Sequence, residues 1–323
     1  MKRFLKGLLV LIIAVAGLSA CSSTSEREKT ADRSAKHIGI LQYVEHPSLS
    51  ASRKGFIDEL KKEGYVDGKN IVIDYKNAQG DQSNLQSISE KLIRKNDIVL
   101  GIATTAAQSL ASLSTDVPII FTDVTDPVSA SLVKSMKYPG GIATGTSDMA
   151  PIAKQVTLLK KVIPNVKKVG IMYTTSERNS EVQVNQAKKL FKKAGIETVI
   201  KGISSTNDVQ DTAKSLMSKC DVLFIPTDNT IVSSINLVTE LSKEMKVPVI
   251  GGSADVVEQG VLFTYGADYE SLGRQTAKMA IQILKGKKPS DVPSEYPKEV
   301  KVVVNKKIAK YLGIDVSQIT NSK

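Results

Sequence analysis

From residue 37 onward, short runs of β-branched apolar residues alternate with longer stretches in which apolar positions recur every three or four residues. The runs fall at residues 38–44, 71–75, 98–103, 117–121, 169–173, 199–203, 222–225 and 247–250. Most are continuous rather than alternating, as in strands covered on both faces, and parallel sheets are covered on both faces. The stretches between them read as helices. In residues 52–63, Phe56, Ile57 and Leu60 share one face and Gly64 follows. In residues 180–194, Ala187, Leu190, Phe191 and Ala194 do the same and Gly195 follows. A glycine just past the last periodic residue is a helix stop. Regular alternation of strand and helix predicts an α/β fold with right-handed crossovers.

The pattern runs twice. Asp97-Ile-Val-Leu-Gly-Ile-Ala-Thr104 is echoed by Asp221-Val-Leu-Phe-Ile-Pro-Thr227, and Val117-Pro-Ile-Ile120 by Val247-Pro-Val-Ile250. Two echoes in the same order predict two similar, Rossmann-like lobes with parallel sheets. Gly140, Gly141 and Gly145 mark the end of the first series, so a crossing is placed near residue 146. A helix over 269–286 and a strand over 300–304, separated by Pro289, Pro293 and Pro297, read as a return through both lobes. The expected division is 36–146 with 267–288 for lobe 1, and 147–266 with 289–317 for lobe 2, joined by a three-segment hinge.

The start of the chain concerns location. Met1, Lys2, Arg3 and Lys6 precede an uncharged apolar run, and Leu18-Ser19-Ala20-Cys21 closes it. A basic start, an apolar centre and small residues before a cleavage point make residues 1–20 a secretory signal peptide. The run is shorter than the roughly 20 residues a membrane-spanning helix needs. Leu-Ser-Ala-Cys resembles a bacterial lipobox, which implies lipidation of Cys21 and cleavage before it. Residues 21–35 carry no large apolar side chain and read as a lipidated flexible tether. The protein is thus expected at the cell membrane, lipid-anchored and facing the extracytoplasmic side.

About 290 residues remain, enough for two domains. Removing residues 1–20 takes away three basic groups and no acid, which lowers the formal charge from +11 to +8. Secretion argues against nucleic acid as the basic chain's partner. Anionic headgroups or cell-wall polymer suit it better, and scattered solvated lysines explain the charge as well. With Cys21 set aside only Cys220 is left, which excludes an intrachain disulfide framework and a cysteine metal cluster.

In open α/β sheets, ligands bind beyond the carboxyl ends of the strands. After the first strand stand Tyr43, Glu45 and His46; after the third, Thr104, Thr105, Ala106 and Gln108; after the fourth, Asp123, Thr125 and Asp126. In the second lobe the corresponding residues are Tyr173, Asn179 and Ser180, then Thr227, Asp228 and Asn229, then Ser253 and Asp255. Loops rich in Thr, Ser, Asn and Asp and poor in Lys suit a polar small molecule bearing a cationic group. The helix start at Thr104 offers free N–H groups to an anion such as a carboxylate. Asp228, or Asp126 as second choice, is expected to pair with an ammonium. Tyr43 and Tyr173 are candidates to flank an aromatic side chain. Any one of these loops is equally explained by helix capping; several facing one cleft are not.

Catalysis finds little support. The only histidines are His37 and His46, and neither a histidine pair at zinc-binding spacing nor a Gly-x-Ser-x-Gly turn is present. No phosphate-binding loop appears, so no cofactor is expected and the chain does not read as an enzyme.

Several stretches together resemble the tryptophan/tyrosine-type substrate-binding proteins of ABC importers. They include Ile38-Gly-Ile-Leu-Gln-Tyr-Val-Glu-His-Pro47, Gly64-Tyr-Val-Asp-Gly-Lys-Asn70, Thr122-Asp-Val-Thr-Asp-Pro-Val128, Gly145-Thr-Ser-Asp148, Pro226-Thr-Asp-Asn-Thr230 and Asp268-Tyr-Glu-Ser-Leu-Gly-Arg274. The resemblance spans nearly all of residues 36–315. It implies a type I periplasmic-binding-protein fold, an amino acid (often aromatic: tryptophan, tyrosine or phenylalanine, with nothing in the sequence to choose among them) held between the lobes, and delivery to ABC permease subunits; the protein is expected to be a monomer. A sugar, nucleoside or aliphatic amino acid as ligand, or an adhesion or sensing role, remains as the alternative reading.

Overall fold

The computed structural model describes residues 35–319. The first half contains β1 (Lys36–Gln42), α1 (Pro47–Lys62), β2 (Ile71–Asn77), α2 (Gln82–Lys95), β3 (Ile98–Ile102), α3 (Thr104–Ala111), β4 (Ile119–Val124) and β5 (Ala143–Ser147). The second contains α4 (Ile152–Val162), β6 (Lys168–Thr174), α5 (Arg178–Lys193), β7 (Glu197–Ile203), α6 (Val209–Met217), β8 (Val222–Ile225), α7 (Asn229–Ser233), α8 (Ile235–Met245), β9 (Val249–Gly251), α9 (Ala254–Glu258) and β10 (Phe263–Ala267). The return comprises α10 (Tyr269–Leu284), β11 (Val300–Val304) and α11 (Lys306–Leu312).

The strands form two sheets, ordered β2-β1-β3-β4-β5 and β11-β10-β9-β8-β6-β7. Read from β6 onward, the second sheet repeats the order of the first, so the sequence echoes correspond to a repeated topology. The first sheet is parallel throughout, with Ile38 opposite Ile98 and Leu100 opposite Ile120. In the second sheet β11 departs from the expected parallel arrangement: it runs antiparallel to β10, Phe263 opposite Val304. The cause is its route. The chain re-enters from the hinge, at the end where β10 finishes, so its strand must run away from the hinge while β10 runs toward it.

Each sheet has its own core. Ile38, Leu100 and Phe121 of the first sheet pack with Leu60 of α1 and with Ala277 and Ile281 of α10. Thus α10, although it follows the second sheet in sequence, completes the first core. The second sheet buries Phe191 and Phe224, whose rings meet edge to face at 5.7 Å. Its other face covers Met172, Leu223 and Val238. Strands β5 and β10 were not among the apolar runs. Ala143-Thr-Gly-Thr-Ser147 lacks any large apolar residue, and Gly145, one of the glycines assigned to a crossing, lies inside β5. It is a strand because β4 pairs with it, Ile119 opposite Ala143.

The chain passes between the sheets three times: after β5, after β10 and before β11. The crossings lie side by side. Ser147 N donates to Glu295 O at 2.8 Å, Glu295 N to Gly145 O at 3.0 Å, and Asp268 N to Glu299 O at 3.3 Å. No helix among the described residues is long and apolar enough to cross a membrane. Cys21, the signal segment and all but the last residue of the tether lie outside the described residues.

Candidate functional site

The carboxyl ends of both sheets face one cleft, and the loops there touch across it. Ser48 and Ser253 share a hydrogen bond of 2.6 Å. His46 Nε2 lies 3.3 Å from Asn229 Oδ1, and Gln183 Nε2 lies 3.4 Å from Thr125 Oγ1. In each pair the two partners come from opposite lobes, so this is a closed arrangement.

On the lobe 1 side, Pro47 opens α1 with His46 at its N-cap. A proline in the first turn gives up an N–H that has no helical partner anyway. Ser48 and Ser52 then stand one turn apart on the same face of α1. Ser48 points to Ser253, while Ser52 Oγ donates to Asp123 Oδ1 at 2.8 Å. Asp123 also accepts from Thr122 Oγ1 at 3.0 Å, and its other oxygen, Oδ2, is buried without a partner. Its φ of 59° and that of Ala103 (82°) are left-handed, a strained conformation for non-glycine residues that tends to mark functional sites. Beside it, Asp148 accepts from Thr125 Oγ1 at 3.0 Å and from Tyr269 Oη at 2.7 Å.

Asp123 and Asp148 form an acidic pair with no cation among their neighbouring charges, and the cation near Asp255, Lys301, is paired with Asp268. Burial, then the neighbouring Asp148, push Asp123 well above the usual carboxylate range. Burial also raises Asp148, against the pull of the Tyr269 and Thr125 hydroxyls. Asp255, across the cleft, is raised by burial against the pull of the Ser48 hydroxyl, and its Oδ2 too has no partner. Tyr269 is driven up by burial and by Asp148 and Asp123. Carboxyls in such surroundings either hold protons or receive a cation.

On the lobe 2 side the polar residues bind one another. Asp228 caps α7 through Ile231 N at 2.9 Å and accepts from Thr174 N (2.6 Å), Thr174 Oγ1 (2.8 Å) and Ser180 Oγ (2.7 Å). Burial and the nearby Glu177 carboxylate nevertheless push its pKa up to about 7. Glu177 is as fully engaged, accepting from Asn179 Nδ2, from the backbone and side-chain nitrogens of Asn229, and from Thr230 N and Oγ1. Gln183 clasps Thr227, accepting from its N at 3.0 Å and donating to its Oγ1 at 2.9 Å. Asn179 donates to Thr227 O at 2.8 Å, and its Oδ1 is buried and unpartnered.

The residues singled out from sequence divide accordingly. Ser253, Asp255, Asn229 and Thr104 lie at the seam, Thr104 Oγ1 accepting from Thr125 N at 3.4 Å. Thr105 and Ala106 follow in the first turn of α3, Ala106 fully buried. Asn179, Ser180, Thr227 and Asp228 form the lobe 2 network. Tyr43 is buried, and burial with Glu177 nearby pushes its hydroxyl up to about 12. It lines an interlobe cavity of about 250 Å³ together with Gly80, Ser176, Ser205, Thr230 and Ser233.

Three candidates are turned to other work. Glu45 faces the β2 side, bonded to Ser50, Tyr75 and Asn77 and paired with Arg53. Asp126 caps its own turn through Val128 N and Ser129 N. Tyr173 rests its ring over Gly202 of β7. Asp228 joins them as far as an ammonium is concerned, since all its acceptor positions are filled from within lobe 2. Residues that the candidate set left out are Ser48, Ser52, Asp148, Glu177, Gln183 and Tyr269, while Asp123 and His46 stood only in the inventory of residues after strands, with no ligand contact assigned to them. Asp148 had a signal, the last position of the Gly145-Thr-Ser-Asp148 stretch just past a strand. Ser48 and Ser52 had only their one-turn spacing.

Comparison with known proteins follows the same lines. Residues 37–321 match the family described as ABC transporter substrate binding protein. A tyrosine-binding protein of Clostridioides difficile is 41% identical over 100% of this chain and 95% of its own length. The ABC domain of Streptococcus pneumonia in complex with L-Trp matches with a TM-score of 0.86 and 43% identity, over 88% of this chain and 97% of that one. A ligand-free, open substrate-binding protein with adhesive properties from Clostridium difficile, also 43% identical, covers 89% of this chain and 98% of its own and gives a TM-score of 0.69. At equal identity and coverage the liganded structure superposes better, in keeping with the contacts across the cleft. The fold is that of the type I periplasmic-binding proteins.

Proposed function

The chain belongs to the ABC transporter substrate-binding protein family, and on that premise we propose that it captures an aromatic amino acid, tyrosine or tryptophan, between its lobes and delivers it to permease subunits. The observation that carries the reading is the pair of buried, unpartnered carboxylate oxygens, Asp123 Oδ2 and Asp255 Oδ2, from opposite lobes. Leaving buried carboxylates without a countercharge is strongly destabilising. An α-ammonium arriving with the ligand supplies that charge to both lobes at once. Because open and closed forms differ in whether it is shared, the ligand shifts the equilibrium toward closure.

The α-carboxylate belongs at the start of α3, where the N–H groups of Thr104 and Thr105 lack helical partners. Asn179, Thr227, Asn229 and Ser253 complete the polar surround, and Tyr43 borders the space for the ring. Tyrosine binding by one relative and L-Trp in the other favour an aromatic side chain. The reading extends to the ends of the chain: signal peptide over 1–20, lipid on Cys21, tether over 21–35, lobe 1 from 36–146 and 267–288, lobe 2 from 147–266 and 289–317, acting as an extracytoplasmic monomer. The role is binding; no step of catalysis is assigned to any residue.

The test is calorimetric titration with tyrosine, tryptophan and their deaminated analogues. Removing the amino group is expected to abolish measurable binding. Asp123→Asn is expected to weaken tyrosine or tryptophan binding at least about tenfold, about 1.4 kcal/mol. Equal affinity for amino and deaminated compounds, or binding only of sugars or nucleosides, would overturn the amino-acid assignment.

A further inference from the structure

His46 sits at the seam with one nitrogen used and one idle. Glu177 sets its partner: Asn229 Nδ2 donates to Glu177 Oε2 at 2.6 Å, and Asn229 N donates to the same oxygen at 3.0 Å. With its amide nitrogen committed, Asn229 presents Oδ1 to His46 Nε2 across the cleft at 3.3 Å. A carbonyl oxygen can only accept, so Nε2 carries the hydrogen and neutral His46 is the Nε2–H tautomer. Its Nδ1 is then a bare acceptor. That atom is buried and has no partner, on a residue only 7% exposed. Burial keeps the imidazole neutral by pushing its pKa down to about 4.

An idle buried acceptor calls for a donor that arrives with the ligand. On the amino-acid reading above, which this inference rests on, the carboxylate has no hydrogen to give, and the cluster of Asp123, Asp148 and Asp255 can accept all three N–H groups of the ammonium. The donor that remains is on the side chain. We propose that His46 Nδ1 accepts a hydrogen bond from the ligand's side chain, the phenol O–H of tyrosine or the indole N–H of tryptophan. It is a specificity-determining residue that disfavours phenylalanine. Glu177 and Asn229 act through it as positioning residues, holding the tautomer that leaves Nδ1 free.

Two substitutions separate reading from latching. His46→Gln puts an amide N–H near the place of Nε2 and keeps the bond to Asn229, but leaves no acceptor at the place of Nδ1. His46→Asn puts an amide oxygen near Nδ1 and loses the bond to Asn229. The full-length protein and both variants are titrated with L-tyrosine, L-tryptophan and L-phenylalanine. The unsubstituted protein is expected to prefer tyrosine or tryptophan over phenylalanine by about tenfold or more. In His46→Gln that preference falls to within about twofold, with phenylalanine affinity little changed, whereas His46→Asn weakens all three together and keeps the preference. A purely structural His46 would lower all three ligands alike in His46→Gln, and that result, or a preference surviving in it, overturns the inference. Binding of all three by the unsubstituted protein without preference overturns it while the amino-acid reading stands. Binding of none overturns both.

Discussion

Glu177 and Asp228 lie close together inside lobe 2, and both are saturated by donors of their own lobe. Asp123 and Asp255 are not, and the difference decides which acids are available to a ligand. Asp228→Asn should accordingly lower the melting temperature of the ligand-free protein, because the amide cannot accept at all four donors, without altering the ranking of ligands; a changed ranking would return Asp228 to the binding role. His46 gives a pH dependence. In the closed form burial, countered by Asn229, Glu177 and Glu45, holds its pKa at about 4. Opening exposes it to a value of about 6.5. The closed form therefore binds fewer protons, so its advantage is whole above pH 6.5 and is lost as pH falls from 6.5 toward 4. Ligand affinity should drop about tenfold or more between pH 7.5 and pH 5, and the drop should be markedly smaller in His46→Gln, where only protonation of the ammonium-binding carboxyls remains; titrations across that range check it.

Among the elements, α1 and α10 carry the most. They cross closely because each offers a glycine to the other's backbone. A Cβ at Gly55 would stand 2.1 Å from Glu270 O, and one at Gly273 would stand 1.9 Å from Ser52 O. Neither obstacle is a side-chain end that could swing away. Gly273→Ala should thus cost about 1–3 kcal/mol of stability, read from denaturant unfolding, and should also weaken ligand binding by shifting Ser52, which holds Asp123. No change in either would show that the helices separate freely. The periodicity of apolar residues marked both helices, and the expected return through both lobes put 267–288 with lobe 1, where Ala277 and Ile281 pack in the first core. What the pattern did not show is how closely α1 and α10 cross, which depends on Gly55 and Gly273 lying against the opposite backbone.

For the molecule as a whole, three crossings tied to one another by hydrogen bonds join the two sheets, the arrangement that hinge closure around a ligand requires. Closure brings Ser48 and Ser253 to 2.6 Å. A protein carrying Ser48→Cys and Ser253→Cys should form a disulfide readily when ligand is present and slowly when it is absent. Once oxidised it should retain bound ligand through dialysis. Mass spectrometry of the cross-link gives the rate. Equal rates with and without ligand would mean that closure does not depend on occupancy.

Period and polarity along the chain sufficed for the α/β class, the duplicated order of strands and the loops that meet across the cleft, because burial on both faces of a parallel strand dictates apolar runs that any reader of the pattern meets. They did not reveal β5, whose small residues are a strand only because β4 lies beside them, nor the reversal of β11, which follows from the path of the return. Above all they could not rank the acids of the site. Asp123, Asp228 and Asp255 look alike in sequence, each just past a strand. Which of them keeps a free oxygen depends on how many donors from distant segments reach it, and those donors are set only when the two lobes fold and meet.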